Sequence, residues 1–304
     1  MKTVLPLVFL CLIFLISACS FQSETDPEPP QEPPIYTIPI VVHVIHLGEP
    51  IGQGHNISNA QISSQIRVIN EDFRRKEGTR GFNDHPDGGD ARIEFVLAQI
   101  DPSGQPTDGV IRVNAQEVDN PVDPGSLFNF FSYFSYWPPE QYLNVWSIPL
   151  KGLEDLFLGE ATGPETDLPG GDAFTPGEPF QSEGILVNSA HFGEISRKSD
   201  YNLGRTLTHE IGHYLGLLHT WGQGNCTDND FCEDTPAVSQ PVLGCPNTPG
   251  IGCQGEEIMI HNYMTFGLDR CMNIFTNDQI ARMRHVLEHS PRRKSLLTSP
   301  GLGS

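Results

Sequence analysis

From residue 36 onward the chain alternates segments of strand-like and helix-like periodicity. The stretch YTIPIVVHVIH (36–46) is β-branched and almost wholly apolar, which reads as a mostly buried strand. Ser58 stands three positions before Gln61 in the manner of a capping box. Ile62, Ile66, Ile69 and Phe73 follow at helical spacing, so a helix with one core face is predicted. RIEFVLAQI places Ile93, Phe95 and Leu97 on one face of a second strand. GVIRV, YLNVWSI and GILVNSA give three further strands, separated by Gly- and Pro-rich loops. The run FNFFSYFSYW reads as packing beneath a long loop, with no cofactor implied. His43 and His46 fall inside the first strand, where a lone histidine is more often packed or on the surface than a ligand. No internal repeat is present.

The pattern before residue 36 is different. Met1 and Lys2 precede an apolar run from Val4 to Ile16, too short to span a bilayer comfortably and laid out like a secretory signal. Ile16-Ser17-Ala18-Cys19 resembles a bacterial lipobox, which predicts a signal peptide over 1–18 and lipidation of Cys19; the alternative is an ordinary cleaved signal. Acyl chains contribute about 0.8 kcal/mol per buried methylene, enough in combination for stable anchoring. Residues 19–35 are acidic, Pro-rich and nearly free of apolar side chains, as expected of an extended tether. The expected product is exported, either secreted or anchored on the outer side of a bacterial membrane, with the lipid as its only membrane contact.

Composition narrows the rest. With 304 residues, 30 Gly and 26 Pro, the chain suits one loop-rich domain or two intimate subdomains. A domain over 36–295 is expected, upper part 36–219 and lower part 220–295, with a tail over 296–304. The formal net charge of −20 argues against nucleic acid as a partner. Arg292, Arg293 and Lys294 form a cationic cluster near the C-terminus, read as a solvated end.

Candidate chemistry is concentrated in HEIGHYLGLLH (209–219). Leu203, Leu207, Ile211, Leu215 and Leu218 carry the apolar side of a helix that Asn202 or a neighbour can cap. His209 and His213, four apart, emerge on one face and can share an ion, with Glu210 beside them as general base rather than ligand. Gly216 can take a left-handed turn that returns His219 as third ligand. Three neutral imidazoles suit zinc and leave a position for water, the pattern of a catalytic site. A bare H-E-x-x-H arises by chance in about one such chain in a hundred; the added glycine and histidine make coincidence far rarer.

HEIGHYLGLLH resembles the extended signature of metzincin zinc proteases, and NYMTFG supplies Met264 for their methionine turn. More closely, VINEDFRR, IEFVLA, YLNVWSIP, HTWGQGNCTDNDFCEDTP, LGCP and DRCMNIFTNDQIARMR resemble the pappalysin (ulilysin-like) family over about residues 36–290. The resemblance implies an α+β fold: a mixed twisted sheet, a backing helix, the active-site helix, and an irregular lower subdomain with disulfides, Met-turn and C-terminal helix. It implies a monomeric zinc endopeptidase acting on proteins or peptides, which lie along the edge strand GILVNSA by strand addition. His209, His213 and His219 match the ligands, Glu210 the base and Met264 the turn residue. Asp269 matches the base of the pocket for the residue after the scissile bond, where a carboxylate favours Arg or Lys. One departure is Phe266, where the family has a tyrosine whose hydroxyl helps stabilise the oxyanion; Tyr263 and Tyr201 are the nearby substitutes.

Family spacing also implies disulfides Cys226–Cys253 and Cys245–Cys271, leaving Cys232 over. A zinc-thiolate cluster is the alternative, disfavoured because no C-x-x-C pair exists. Asp228, Asp230, Glu233, Asp234 and Thr235 resemble the stretch that binds calcium in related enzymes, so Ca2+ is a second candidate ion, with Asp230 and Thr235 as named ligands; the alternative is a solvated acidic loop. The other functional class is a tethered binding lipoprotein with a weak or vestigial zinc site.

Overall fold

A computed structural model describes residues 32–119, 126–150, 152, 156–174, 182–196, 199–227 and 229–303. The signal segment, Cys19, most of the tether and Asp228 lie outside the described residues. By backbone contacts, residues 34–304 are one unit.

The first element, β1 (Tyr36–His46), is the spine of the sheet. It is continuously apolar because it is paired on both sides and covered on both faces. α1 (Asn59–Phe73) follows, then β2 (Ile93–Leu97) and β3 (Val110–Asn114). Both of these strands pair parallel with β1, at successive stretches of its length. After the short α2 (Leu127–Ser132), β4 (Leu143–Ile148) pairs along the other side of β1. β5 (Gly159–Ala161) and β6 (Ile185–Asn188) complete the order β2-β1-β4-β6-β5, with β5 antiparallel on β6.

The period of two along β1 sorts two cores. Ile38, Ile40, Val42 and Val44 face α1 and the helix α3 (Arg205–Tyr214), packing with Ile69, Phe73, Leu207 and Ile211. Ile45 faces the other way, where Phe128 and Phe131 of α2 meet Trp146. The aromatic run is therefore partly helical, and it caps the far side of the sheet. His43 is fully buried there, stacked on Trp146 and bonded through its ring nitrogens to Ser135 Oγ (2.8 Å) and Asn144 Oδ1 (2.9 Å).

Local signals differ from expectation at four points. Ser58 caps α1 through Gln61 N, but the Gln61 side chain is drawn away to the Phe192 carbonyl, so only half the capping box forms. A complete box appears at α4 (Asn277–His289), between Thr276 and Gln279. GILVNSA, expected as the edge, is interior: β5 covers β6, and the strand bordering the cleft is Gly159–Ala161. Three residues are too few to show a strand period in sequence.

Nor is the cationic cluster a solvated end. Arg293 in α5 (Pro291–Lys294) is buried over the Tyr214 ring, donating to the carbonyls of Tyr214, Thr162 and Gly163 and pairing with Glu183. The segment beyond it, set apart above as a tail, packs inward through Leu296, and Gly301 O accepts from Gln99 N.

Between α3 and α4 the described chain is irregular apart from a two-residue pairing of β7 (Leu243–Gly244) with β8 (Phe266–Gly267). Disulfides Cys226–Cys253 and Cys245–Cys271 staple this region, and Cys232 is free and buried. The two bridges join residues 27 and 26 apart in sequence, and closing such loops restricts the unfolded chain.

Candidate active site

α3 begins without a side-chain cap of its own. Gly204 takes a left-handed conformation, and Asn202 is not the cap. Instead Asp269, distant in sequence, accepts from Leu203 N (2.7 Å) and Arg205 N (3.4 Å). A carboxylate is favoured there by the free N–H groups and the dipole of the helix start.

The helix ends at a Schellman turn. Leu217 N donates to Gly212 O and Gly216 N to His213 O, with Gly216 at φ +88°. A Cβ on Gly216 would also sit 2.9 Å from Val286, so glycine is required for space as well as for φ. The turn sends the chain back over the helix face, and His219 arrives opposite His209 and His213.

The three Nε2 atoms lie 3.0–3.2 Å apart. His209 Nδ1 is 2.7 Å from the Tyr263 carbonyl and His213 Nδ1 is 2.8 Å from the Leu217 carbonyl. A carbonyl only accepts, so those Nδ1 atoms carry the protons and the Nε2 lone pairs face inward. Burial pushes His209 down to about 3 and His213 to about 4, and it holds His219 far below the usual histidine range. Three neutral rings aiming lone pairs at one point repel unless a cation sits between them. The donor set therefore fits a divalent metal with nitrogen preference, and among the described residues no other such His, Cys or carboxylate group of three converges.

Below the triad, Met264 is fully buried; a Cβ on Gly212 would meet its sulfur at 2.4 Å, so methionine and helix are in close contact. Beside it, Glu210 is 7% exposed and is pushed up to about 8, chiefly by burial and then by the neighbouring charge of Glu160. Gly159 passes directly over Glu210: a Cβ there would lie 2.9 Å from its Cγ.

Two cavities meet at Gly159, His209, Glu210 and Phe266. The larger, about 660 Å³, runs past Glu160, His213, His219 and Phe231. The smaller, about 340 Å³, is lined by Tyr201, Arg205, Leu243, Met272 and Asp269. Asp269 is 1% exposed, its Oδ1 has no hydrogen-bond partner, and burial raises its pKa. Arg270, its chain neighbour, pairs with Asp200 instead.

Phe266 is 43% exposed at the junction and packs on Trp221 and His219, where it offers no donor. Tyr263 is no substitute: it is buried behind the metal site in a cluster with Asp72 and Arg205. Tyr201 lines the smaller cavity. In the loop after the triad, both Asp230 oxygens approach Thr235 Oγ1 (2.7 and 2.8 Å) and Cys232 N donates to Oδ1. Burial pushes Asp230 up to about 6.

Sequence reasoning missed Gly159, Glu160, Arg205 and Asp72. Arg205 opens the signature helix and Asp72 lies within VINEDFRR, but neither stretch shows that the two side chains meet.

A mixed, mostly parallel sheet with a backing helix, an H-E-x-x-H helix turning on glycine into a third histidine, and a buried methionine beneath them defines a metalloendopeptidase of the metzincin type. A family model described as pregnancy-associated plasma protein-A, Peptidase_M43, matches residues 132–288. An extracellular metalloprotease of Arthroderma otae is 46% identical over 253 residues, covering 81% of this chain and 76% of that one. Another, from Colletotrichum graminicola, is 31% identical over 258 residues, 81% of this chain and 74% of that one. The solved structure of mature mirolysin from Tannerella forsythia, in complex with a cleaved peptide, has 34% identity and a TM-score of 0.70, covering 87% of this chain and 96% of that one. The chain belongs to the pappalysin family, M43.

Proposed function

We propose that His209, His213 and His219 hold a catalytic zinc ion and that Glu210 is the general base and acid of peptide hydrolysis. The observation carrying this is the convergence of three Nε2 lone pairs, two of them fixed by Nδ1 contacts to backbone carbonyls. Zinc bound there supplies Lewis acidity to the scissile carbonyl and acidifies water. Glu210, with its side chain in the dry floor of the cleft, takes the proton of the attacking water and gives it to the departing amine. The peptide lies along Gly159–Ala161, adding a strand to the sheet edge. Phe266 supplies no hydroxyl to the oxyanion, so no side-chain donor comes from that position. Glu210→Ala is expected to retain one zinc per chain by metal analysis and to lose casein cleavage; cleavage by the zinc-loaded variant would overturn the assignment.

Asp269 selects Arg or Lys after the scissile bond, through a charge-assisted contact to its unpartnered Oδ1. Because Asp269 also caps α3, Asp269→Asn is the better test than alanine: it keeps an acceptor oxygen and removes only the charge. Preference for basic residues in a peptide library should vanish, and an unchanged set of cleavage sites refutes the role.

The wider arrangement is a signal over 1–18, a lipidated Cys19, a tether to residue 35, and a monomeric catalytic domain from residue 36 that includes the inward-packed segment after residue 295, with its cleft between parts meeting near residue 219. The extracellular character of the named relatives supports export. Among the described residues no helix is long and apolar enough to cross a membrane. Mass spectrometry of the mature N-terminus decides between an acylated cysteine and a free start. Calcium at the Asp230 and Thr235 oxygens is a further reading, supported by the buried carboxylate.

A further inference from the structure

Behind the smaller cavity, three charged side chains are shut away from water. Asp72 comes from α1, Arg205 from the first turn of α3, and Asp269 from the loop before Cys271; all three are almost fully buried. Arg205 Nη2 donates to Asp72 Oδ1 at 2.9 Å, and Nη1 is tied to the Leu203 carbonyl. Thr208 Oγ1 donates to the second Asp72 oxygen at 2.7 Å. The Tyr263 hydroxyl approaches the same carboxylate without an aligned hydrogen bond. Asp72 is thus doubly held, and it holds Arg205.

The consequence is on the cavity side. Arg205 and Asp269 both line it, yet they form no ion pair with each other. Arg205 Nε and Asp269 Oδ1 are each buried with no hydrogen-bond partner. A guanidinium next to a carboxylate ordinarily pairs with it, and a buried pair left unmade is costly. Here two carboxylates share one guanidinium, and Asp72 has it. A substrate side chain bearing one positive charge completes the count.

We propose that Asp72 is a positioning residue that sets the cavity's preference for basic side chains, by keeping the Arg205 guanidinium off Asp269. This rests on the reading of Asp269 as the recognition group. Without the Asp72 charge, Arg205 turns to Asp269, the cavity becomes neutral, and an incoming Arg or Lys meets a like charge.

The test uses the full chain loaded with zinc and two quenched peptides that differ only after the scissile bond, one with Arg and one with Leu. Asp72→Asn is expected to lower the Arg-to-Leu ratio of kcat/KM by about tenfold or more, through KM for the Arg peptide, with the Leu peptide changed by less than about threefold. The double variant Asp72→Asn with Arg205→Met removes the competing cation and is expected to restore the ratio to the parent value or above. Equal loss on both peptides in Asp72→Asn indicates a merely structural role and overturns the proposal. So does an unchanged ratio in Asp72→Asn while Asp269→Asn loses it. If Asp269→Asn itself keeps the ratio, the recognition role of Asp269 has failed, which is a separate result. Should Asp72→Asn not fold, the double variant decides alone, since exchange of a buried pair for neutral side chains is often tolerated: a fall in its ratio overturns the proposal.

Discussion

Single residues in this protein carry roles set by what surrounds them more than by their type. Asp269 caps a helix with one oxygen and leaves the other without a hydrogen-bond partner beside a cavity, so one carboxylate joins the start of α3 to the cleft. His43 shows the opposite case, a histidine with no part in the cleft. Burial pushes it down to about 4, against an ordinary value of 6.5. The unfolded chain takes up its proton near the ordinary value while the folded chain resists to about 4. Stability is therefore complete above that window and falls as pH drops through it, by an amount on the order of 3 kcal/mol for a shift of this size. Urea unfolding at neutral pH and near pH 5 should show the parent losing more stability than His43→Gln; parallel losses would remove His43 from the account.

Among elements, the joint between α3, β5 and the C-terminal segment is where substrate contact and stability meet. Arg293 ties the last residue of α3 to the carbonyls just after β5 and to Glu183 just before β6. Arg293→Met leaves Glu183 with only the more exposed Arg292 and frees three carbonyls. A loss of about 3 kcal/mol in thermal or denaturant unfolding is expected, as for other broken buried pairs. Because β5 borders the cleft, KM should rise more than kcat falls. Elements were legible in sequence in proportion to their length. The long β1 and the amphipathic α1 could be read directly, because eleven and fifteen residues give the period room to repeat. β5 could not, and with it went the identity of the sheet edge. Charge runs misled for a related reason: Arg292 and Arg293 look alike in a string, yet one is exposed and the other stacks on a buried ring.

Taken whole, the molecule is a sheet and helices above an irregular, disulfide-stapled segment, with the histidine triad close to both. A metal bound there in the folded state alone adds stability by mass action, about 4 kcal/mol when free metal exceeds its Kd a thousandfold. Removing zinc with a strong chelator should lower Tm and abolish cleavage, and readdition of zinc should reverse both. A calcium-selective chelator separates the second ion: if Tm is unmoved by it, calcium at Asp230 has no place in the fold. The sequence by itself determined the triad, Glu210 and the glycine turn, because helical periodicity and a single φ-permissive residue fix their relation within a few bonds; Met264, far downstream, was legible only through the family resemblance. Only the tertiary structure decided that Asp269 reaches the start of α3, that Asp72 claims Arg205, and that Gly159–Ala161 forms the rim of the cleft. Those relations join residues far apart in the chain, and burial, which a string of letters does not record, sets their energies.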